Sequence, residues 1–179
     1  MKKNILFLGG SGYLANCLSS ALKEKHDLFN LDITQSSWNN NYLYNYEGSV
    51  ENACLLKQIC KVHNINYVIH FACPAIRTEN YLEYFLSHYS SAILPMVVLN
   101  DFKEIKQIII GTEPSRLQGV DSYKIAKMAQ KTFAEDKENI TYLEFFSFKN
   151  NKHLDHLIPE DEPLDNIENL ISQIKTLLG

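Results

Sequence analysis

The sequence predicts an α/β fold, a doubly wound parallel sheet flanked by helices in a single domain. Short apolar runs recur along the chain, and segments whose apolar residues have helical spacing lie between them. Runs without alternating polar residues are typical of strands buried on both faces, as in a parallel sheet. Their alternation with helices predicts helices on both faces of the sheet. The length of 179 residues suits one domain with a sizeable core.

The first strand, turn and helix form the most informative stretch. The apolar run Ile5–Leu8 is followed by glycines in the pattern Gly9-x-x-Gly12-x-x-Ala15, and a helix is predicted over Gly12–Lys25. Glycines permit a tight turn and close approach of a ligand to the backbone, while a helix N-terminus favours a pyrophosphate. The order predicts a Rossmann-like dinucleotide site. Because glycines also close ordinary turns, the turn alone leaves both interpretations open.

An acidic residue ends the second predicted strand, Asp27–Asp32. Asp32 lies about 20 residues beyond the glycines, where dinucleotide-binding folds place a carboxylate on the adenosine ribose. A 2′-phosphate would be repelled by this charge, so NAD is expected rather than NADP. The alternative is an ordinary strand-end aspartate that begins a turn.

The remaining elements follow a polar, asparagine-rich loop, and residues 150–179 are predicted to be an acidic linker and a C-terminal helix. Pro95 is expected to kink or break its helix, Gly111 to close its strand, and Ser49 to cap its helix. The predicted elements are a short strand at Tyr42–Tyr46, a helix at Ser49–His63, a strand at Ile65–Ala72, a helix at Glu79–Asn100, a strand at Ile105–Ile110, a helix at Asp121–Asp136, a strand at Ile140–Phe148 and a helix at Leu164–Leu178.

Composition and charge argue against several classes of function. The net charge is −4 and arginine is scarce, so neither nucleic acid nor an anionic membrane is an expected partner. The apolar runs are too short for a membrane span or a signal peptide. The four cysteines lack zinc or CxxC spacing, which favours free thiols in a reducing cytoplasm. His153 and His156 lie in a polar loop without a further ligand, so no metal site is expected.

Three further motifs accompany the glycine turn. These are Val68-Ile-His-Phe-Ala-Cys73 in a strand, Gly48-Ser-Val50, and Tyr123-Lys-Ile-Ala-Lys127 in the first turn of a helix. Together they resemble the extended short-chain dehydrogenase/reductase family, the NAD-dependent sugar epimerases and dehydratases, over about residues 3 to 148. The resemblance implies that NAD is the cofactor. The cofactor-binding residues that it implies are Gly9, Gly12, Tyr13, Leu14, Asp32, Ser49, Val50, Phe71, Ala72, Cys73 and Lys127.

The tyrosine and lysine pair has a chemistry that follows from its spacing. Residues at i and i+4 share a helix face, so the Lys127 ammonium is expected near the Tyr123 phenol. The positive charge favours phenolate and lowers the tyrosine pKa from about 10 towards the working range of an acid/base. The resemblance implies that Lys127 also holds the nicotinamide ribose. His70, within the strand motif, is interpreted as structural.

Departures from the family pattern follow the fifth strand. The family places a Ser or Thr there to orient the substrate oxygen, and that position falls on Pro114. Thr112 is the expected substitute because it follows the strand directly, with Ser115 as the alternative. Glu113 is either an additional acid/base or, as favoured here, an exposed turn residue. Ser49 stands where the family carries the aspartate of its adenine segment.

Two functions remain open from the sequence. The first is an NAD-dependent oxidoreductase, epimerase or dehydratase acting on a sugar or nucleotide-sugar hydroxyl or ketone, with Tyr123, Lys127 and Thr112 as catalytic residues. The second is an NAD(H)-binding regulatory or accessory protein without turnover, because little of the family's substrate-binding domain is expected in this chain. Both Tyr123 and Lys127 are present, which favours the enzyme. We expect a homodimer paired through the helices at Glu79–Asn100 and Tyr123–Asp136. The aromatic cluster of helical spacing is interpreted as core or subunit interface: Tyr81, Tyr84, Phe85 and Tyr89.

Overall fold

The computed structural model describes residues 1–35, 39–73, 81–112, 122–145 and 166–179. Within these residues six strands form one parallel sheet in the order β3-β2-β1-β4-β5-β6, which confirms the predicted doubly wound fold. The elements are β1 (Asn4–Leu8), α1 (Tyr13–Leu22), β2 (Asp27–Asp32), a 3-10 turn (Asn39–Asn41), β3 (Tyr44–Glu47), α2 (Ala53–Val62), β4 (Tyr67–His70), α3 (Tyr81–Leu99), β5 (Lys106–Thr112), α4 (Ser122–Glu135), β6 (Ile140–Phe145) and α5 (Ile167–Leu178).

The strand order reverses at β1. The chain runs outward from β1 through β2 to β3, and then returns to pair β4 with the other side of β1. In open parallel sheets a ligand crevice lies at such a reversal, beyond the carboxyl ends of the strands. The topology therefore predicts that a ligand site would lie at the carboxyl ends of β1, β2, β4 and β5.

The two faces of the sheet carry separate cores. Ile5 and Phe7 of β1 pack with residues of α1 and α5, whereas Leu6 and Leu8 pack with residues of α2 and α3. All four side chains are fully buried. Burial on both faces explains the unbroken apolar run in the sequence. None of the helices in the described ranges is both long and apolar enough to traverse a membrane.

Two predicted element ends are wrong. The N-cap of α2 is Asn52, not Ser49, because the Asn52 side chain accepts a hydrogen bond from the Leu55 N–H at 3.1 Å. Ser49 instead accepts from the Glu51 N–H in the turn before the helix. Gly111 does not close β5, which continues to Thr112.

Packing explains the glycine inside β5. A Cβ at Gly111 would overlap the ring of Tyr142, which lies across it from β6. The Tyr142 hydroxyl donates to the Lys127 carbonyl at 3.3 Å, so the ring joins β6 to α4 over this glycine. Gly111 therefore makes room for a neighbouring strand's side chain.

Of the kink or break predicted at Pro95, the break does not occur. The helix α3 runs through Pro95 without interruption. Met96 and Leu99, which follow the proline, are fully buried. Their packing holds the last turn of the helix even though proline supplies no N–H.

Candidate functional site

Gly9 begins the turn after β1 in a conformation that requires glycine. Its φ is +80°, and its N–H donates to the Leu31 carbonyl at 2.9 Å. A Cβ there would lie 2.7 Å from both the backbone N and Cα of Ala72. Gly9 therefore lets the ends of β1 and β4 come into backbone contact.

Both backbone polar groups of Gly10 are hydrogen-bonded to side chains. Its N–H donates to Asn30 Oδ1 at 2.9 Å, and its carbonyl accepts from the Tyr42 hydroxyl at 2.8 Å. A Cβ on Gly10 would overlap the Asn30 amide. Neither Asn30 nor Tyr42 was expected at the site from the sequence. The sequence feature that could have indicated Asn30 is that it is a lone asparagine inside the buried strand Asp27–Asp32.

Asp32 lies beside this turn, where the sequence analysis expected it. Its Oδ2 accepts from the Ser11 N–H at 3.0 Å, and its Oδ1 accepts from the Thr34 N–H at 3.1 Å. The Asp32 carbonyl accepts from the Gly48 N–H at 2.8 Å, which brings the Ser49 segment to the same edge. The carboxylate remains partly exposed.

Gly12 is the N-cap of α1, and the fold does not require glycine there. Its φ of −76° and ψ of 164° are ordinary extended values. The nearest atom to a Cβ at Gly12 would be the Gly9 carbonyl oxygen, at 3.7 Å, which is normal contact. No side chain caps the helix, and its first turn, which includes Tyr13 and Leu14, has no acidic residue. The N-terminus of α1 is thus an electropositive surface suited to an anion.

The end of β4 faces the glycine turn. The Phe71 N–H donates to the Leu8 carbonyl at 2.8 Å, and its ring stacks on Phe7 with centroids 5.9 Å apart. The next residue, Ala72, is the one whose backbone abuts Gly9. Cys73 follows as an exposed residue. The strand motif and the glycine turn therefore form one continuous edge.

Lys127 reaches the same edge from α4. The side chain is buried, with 7% exposure, and its ammonium donates to the Ile110 carbonyl of β5 at 3.0 Å. Burial lowers the pKa of Lys127, and the nearby Cys73 acts in the opposite direction. Thr112 ends β5 and Tyr123 lies in the first turn of α4, one turn before Lys127. The side chains of Thr112 and Tyr123 lie outside the described residues, as do Glu113, Pro114 and Ser115.

A buried histidine lies beneath this edge. His70 Nε2 is 3.1 Å from Gln107 Oε1, while Gln107 Nε2 donates to the Met96 carbonyl at 3.5 Å. The network therefore assigns the proton of His70 to Nε2. Burial is the main cause that lowers the pKa of His70 to about 3; the Gln107 bond opposes the shift, and the charge of Lys127 adds a smaller lowering contribution. His70 is thus a neutral hydrogen-bond donor in the core.

The described residues contain no group of three or more His, Cys, Asp or Glu side chains arranged to hold a metal ion. His153, His156 and the rest of the predicted acidic linker fall outside the described ranges. The contacts described above define the candidate site as one edge of the sheet. It is formed by the glycine turn, Asp32, the Ser49 segment, the end of β4 and Lys127.

No protein-family model matches the chain, and no curated protein matches it. It is similar in structure to the dTDP-glucose 4,6-dehydratase RfbB from Bacillus anthracis in complex with NAD, with a TM-score of 0.75 and 14% identity over 98% of this chain and 71% of that one. WbmH from Bordetella bronchiseptica in complex with NAD+ aligns with a TM-score of 0.77 and 12% identity, covering 100% of this chain and 73% of that one.

A UDP-glucose 4-epimerase from Brucella ovis in complex with NAD aligns with a TM-score of 0.68 and 17% identity, covering 81% of this chain and 52% of the epimerase. The chain thus spans between about half and three quarters of the length of these proteins. At such identities the likeness shows a shared fold. The chain has the Rossmann-like fold found in NAD-dependent epimerases and dehydratases.

The burial of His70 predicts a loss of stability in acid. The unfolded state takes up a proton near the ordinary pKa of 6.5, whereas the folded state does so only near about 3. Between these two pKa values, protonation therefore favours the unfolded chain. In that range this group lowers the free energy of unfolding by about 1.4 kcal/mol for each unit by which the pH falls. Above pH 6.5 the group contributes no pH dependence.

Urea unfolding of the wild type and of His70→Gln, from about pH 7.5 down to pH 4.5, measures this contribution. The wild-type curve should fall more steeply with decreasing pH. Parallel curves would contradict the buried neutral histidine. Imidazole nitrogen resonances of the wild type that stay constant over this range provide a check that needs no variant.

Proposed function

We propose that this protein is an NAD-dependent oxidoreductase, epimerase or dehydratase that acts on a hydroxyl or ketone of a sugar or nucleotide-sugar. The observation that carries the proposal is the buried Lys127 ammonium at the carboxyl edge of the sheet, one helical turn after Tyr123. Lysine is rarely buried, because burial disfavours its charge. A lysine held there, at the same edge as the glycine turn, suits a catalytic pair with Tyr123.

Solved structures with this fold support the choice of ligand. The dehydratase and the epimerase described above were crystallised with NAD, and WbmG from Bordetella bronchiseptica with NAD and UDP. In this chain, the N-terminus of α1 at Tyr13 and Leu14 would hold the pyrophosphate beside Gly9 and Gly12. Asp32 would accept hydrogen bonds from the adenosine ribose and would repel the 2′-phosphate of NADP. The other residues that would line the cofactor are Ser49, Val50, Phe71, Ala72, Cys73 and Lys127.

The nicotinamide supplies hydride chemistry when bound, and the protein supplies orientation and a proton. Tyr123 transfers a proton to or from the substrate oxygen. Lys127 favours the phenolate of Tyr123 and holds the nicotinamide ribose. Thr112 at the end of β5 orients the substrate oxygen. Thr112 is the last residue of β5, and Tyr123 and Lys127 lie in the first two turns of α4, which is the arrangement this mechanism needs.

A second candidate function is NAD(H) binding without turnover. The hydrogen bond from Lys127 to the Ile110 carbonyl favours it, because a lysine that ties α4 to β5 has a structural role independent of chemistry. Such a protein would act as a sensor or accessory subunit. The two candidates differ in whether Tyr123 is needed for any reaction.

A homodimer is part of the proposal. Helix α3 exposes Leu82, Leu86, Tyr89 and Val97, by 64%, 54%, 41% and 46%. Successive members of this set are four, three and eight residues apart. This spacing places them on one helix face, as in helices that pack against a partner helix. A second copy, presenting the same face, is the proposed partner. The four free cysteines suit a reducing compartment, so the cytoplasm is the proposed location.

Gly12→Ala should separate folding from cofactor binding. We expect an unfolding free energy within about 1 kcal/mol of the wild type, because the added methyl meets no close neighbour. NAD affinity should fall by about tenfold or more, because the methyl occupies the approach of the pyrophosphate. Calorimetric titration with NAD and NADP, together with thermal unfolding, measures both. Gly9→Ala is the contrasting control and should lose stability. Unchanged NAD affinity in Gly12→Ala would contradict the proposed phosphate position.

Tyr123→Phe should strongly lower the turnover rate while leaving NAD affinity unchanged. We expect kcat on the nucleotide-sugar that the wild type accepts best to fall by about 10² to 10⁴, with NAD affinity retained. Lys127→Ala should lower both kcat and NAD affinity, whereas Lys124→Ala on the same helix should change neither. Wild-type NAD binding with no turnover on any sugar nucleotide, before or after the Tyr123 change, would favour the second candidate.

Leu86→Lys should convert the dimer into a monomer, because it places a charge in the apolar face of α3. Sedimentation velocity of the wild type and the variant tests this. Val62→Lys is the matched control, since Val62 is 63% exposed on α2 and should leave the oligomeric state unchanged. A monomeric wild type at micromolar concentration would refute the dimer.

A further inference from the structure

We infer that Asn30 and Tyr42 are positioning residues for dinucleotide binding, which they support by holding the N–H and the carbonyl of Gly10. The inference rests on the proposed function, because it concerns the turn that would receive the pyrophosphate. Neither side chain lies in the motifs from which a cofactor site was expected.

The turn is attached to β2 through three successive amides. The N–H groups of residues 9, 10 and 11 donate to acceptors on residues 31, 30 and 32, at 2.9, 2.9 and 3.0 Å. The first acceptor is a main-chain carbonyl, and the other two are the side chains of Asn30 and Asp32. These two side chains are two residues apart on one strand, so they project from the same face of the sheet. The glycine turn is therefore attached along the whole end of β2.

The Asn30 amide has a defined orientation. Its Nδ2 lies 3.3 Å from Asn45 Oδ1 and 3.5 Å from Ser11 Oγ, so its Oδ1 is the atom directed at the Gly10 N–H. Asn30 is only 2% exposed, among residues that are otherwise largely apolar on this face. A buried amide is tolerated only when its polar atoms are bonded. Asn30 is therefore in place because of the bond to the turn and its neighbours.

Tyr42 completes the attachment through the carbonyl of Gly10. Its hydroxyl donates to the Gly10 carbonyl, and its ring packs edge-on against Phe7 with centroids 5.5 Å apart. The residue is 8% exposed, and burial raises its pKa to about 12. The hydroxyl therefore stays a neutral donor at ordinary pH. The N–H of Gly10 is bonded to Asn30 and its carbonyl is bonded to Tyr42. The Gly10 backbone therefore cannot rotate without breaking one of these two hydrogen bonds.

This restraint matters because Gly10 lies two residues before Gly12, the N-cap of α1. Three glycines in four residues give this segment wide conformational freedom in the absence of such bonds. A site that is ordered before the ligand arrives avoids the entropic cost of ordering on binding. Loss of one of the two bonds should therefore weaken binding without removing any contact with the ligand.

Tyr42→Phe tests the inference, because it removes the hydroxyl and keeps the ring on Phe7. Tyr67→Phe is the matched control. Tyr67 is also buried, at 7% exposure, and its hydroxyl also donates to a main-chain carbonyl, that of Leu177, at 3.4 Å. It lies at the start of β4, whereas the candidate site lies at the strand's other end. Each variant loses one hydrogen bond from a hydroxyl to a main-chain carbonyl, but only Tyr42→Phe loses it at the glycine turn.

NAD titration by calorimetry should show a Kd about threefold to tenfold higher for Tyr42→Phe and an unchanged Kd for Tyr67→Phe. Amide hydrogen exchange should be faster across residues 10–14 in Tyr42→Phe alone. Asn30→Ala should weaken NAD binding in the same direction. Thermal unfolding of all three variants shows whether each remains folded at the titration temperature.

The outcomes separate the inference from the function on which it rests. A wild type that binds no dinucleotide overturns both. A wild type that binds NAD, with equal affinities for Tyr42→Phe and Tyr67→Phe, overturns the positioning role and leaves the proposed function standing. Unchanged exchange at residues 10–14 in a folded Tyr42→Phe likewise overturns it.

Discussion

The backbone contact between Gly9 and Ala72 is the constraint on which the candidate site depends. The two strands that meet there, β1 and β4, belong to the two halves of the sheet. With no side chain between them, the glycine turn and the end of β4 lie against each other. Every other candidate residue is positioned relative to that contact, through β2 on one side and through β5 and α4 on the other.

The glycines of the turn serve different purposes. Gly9 is required by its backbone conformation, and Gly10 is required by the side chains packed against it. Gly12 has ordinary dihedral angles and open space where its side chain would lie. The first two are explained by contacts within the protein, whereas no contact within the protein requires glycine at position 12. Gly12 is the position that the proposed pyrophosphate would approach.

The sequence was sufficient for the alternation of strands and helices and for the parallel sheet with helices on both faces, because those features depend on local patterns. The buried run Ile5–Leu8 and the strand-end Asp32 were predicted from spacing alone. The error at Gly111 and the omission of Asn30 and Tyr42 arose where a distant residue decides the structure. Gly111 lies inside its strand because of Tyr142, and the roles of Asn30 and Tyr42 depend on bonds to a residue 20 and 32 positions away. No local pattern contains these partners.

The contact between Gly10 and Asn30 also constrains how this protein can change over evolutionary time. A side chain at position 10 and an amide at position 30 would occupy the same space, so position 10 cannot gain a side chain while position 30 keeps its amide. A lineage that acquires alanine at position 10 must first shorten position 30, and it then loses the acceptor for the turn's second amide. Drift at these two sites is therefore coupled and directional, and descendants of this chain should retain or replace them as a pair.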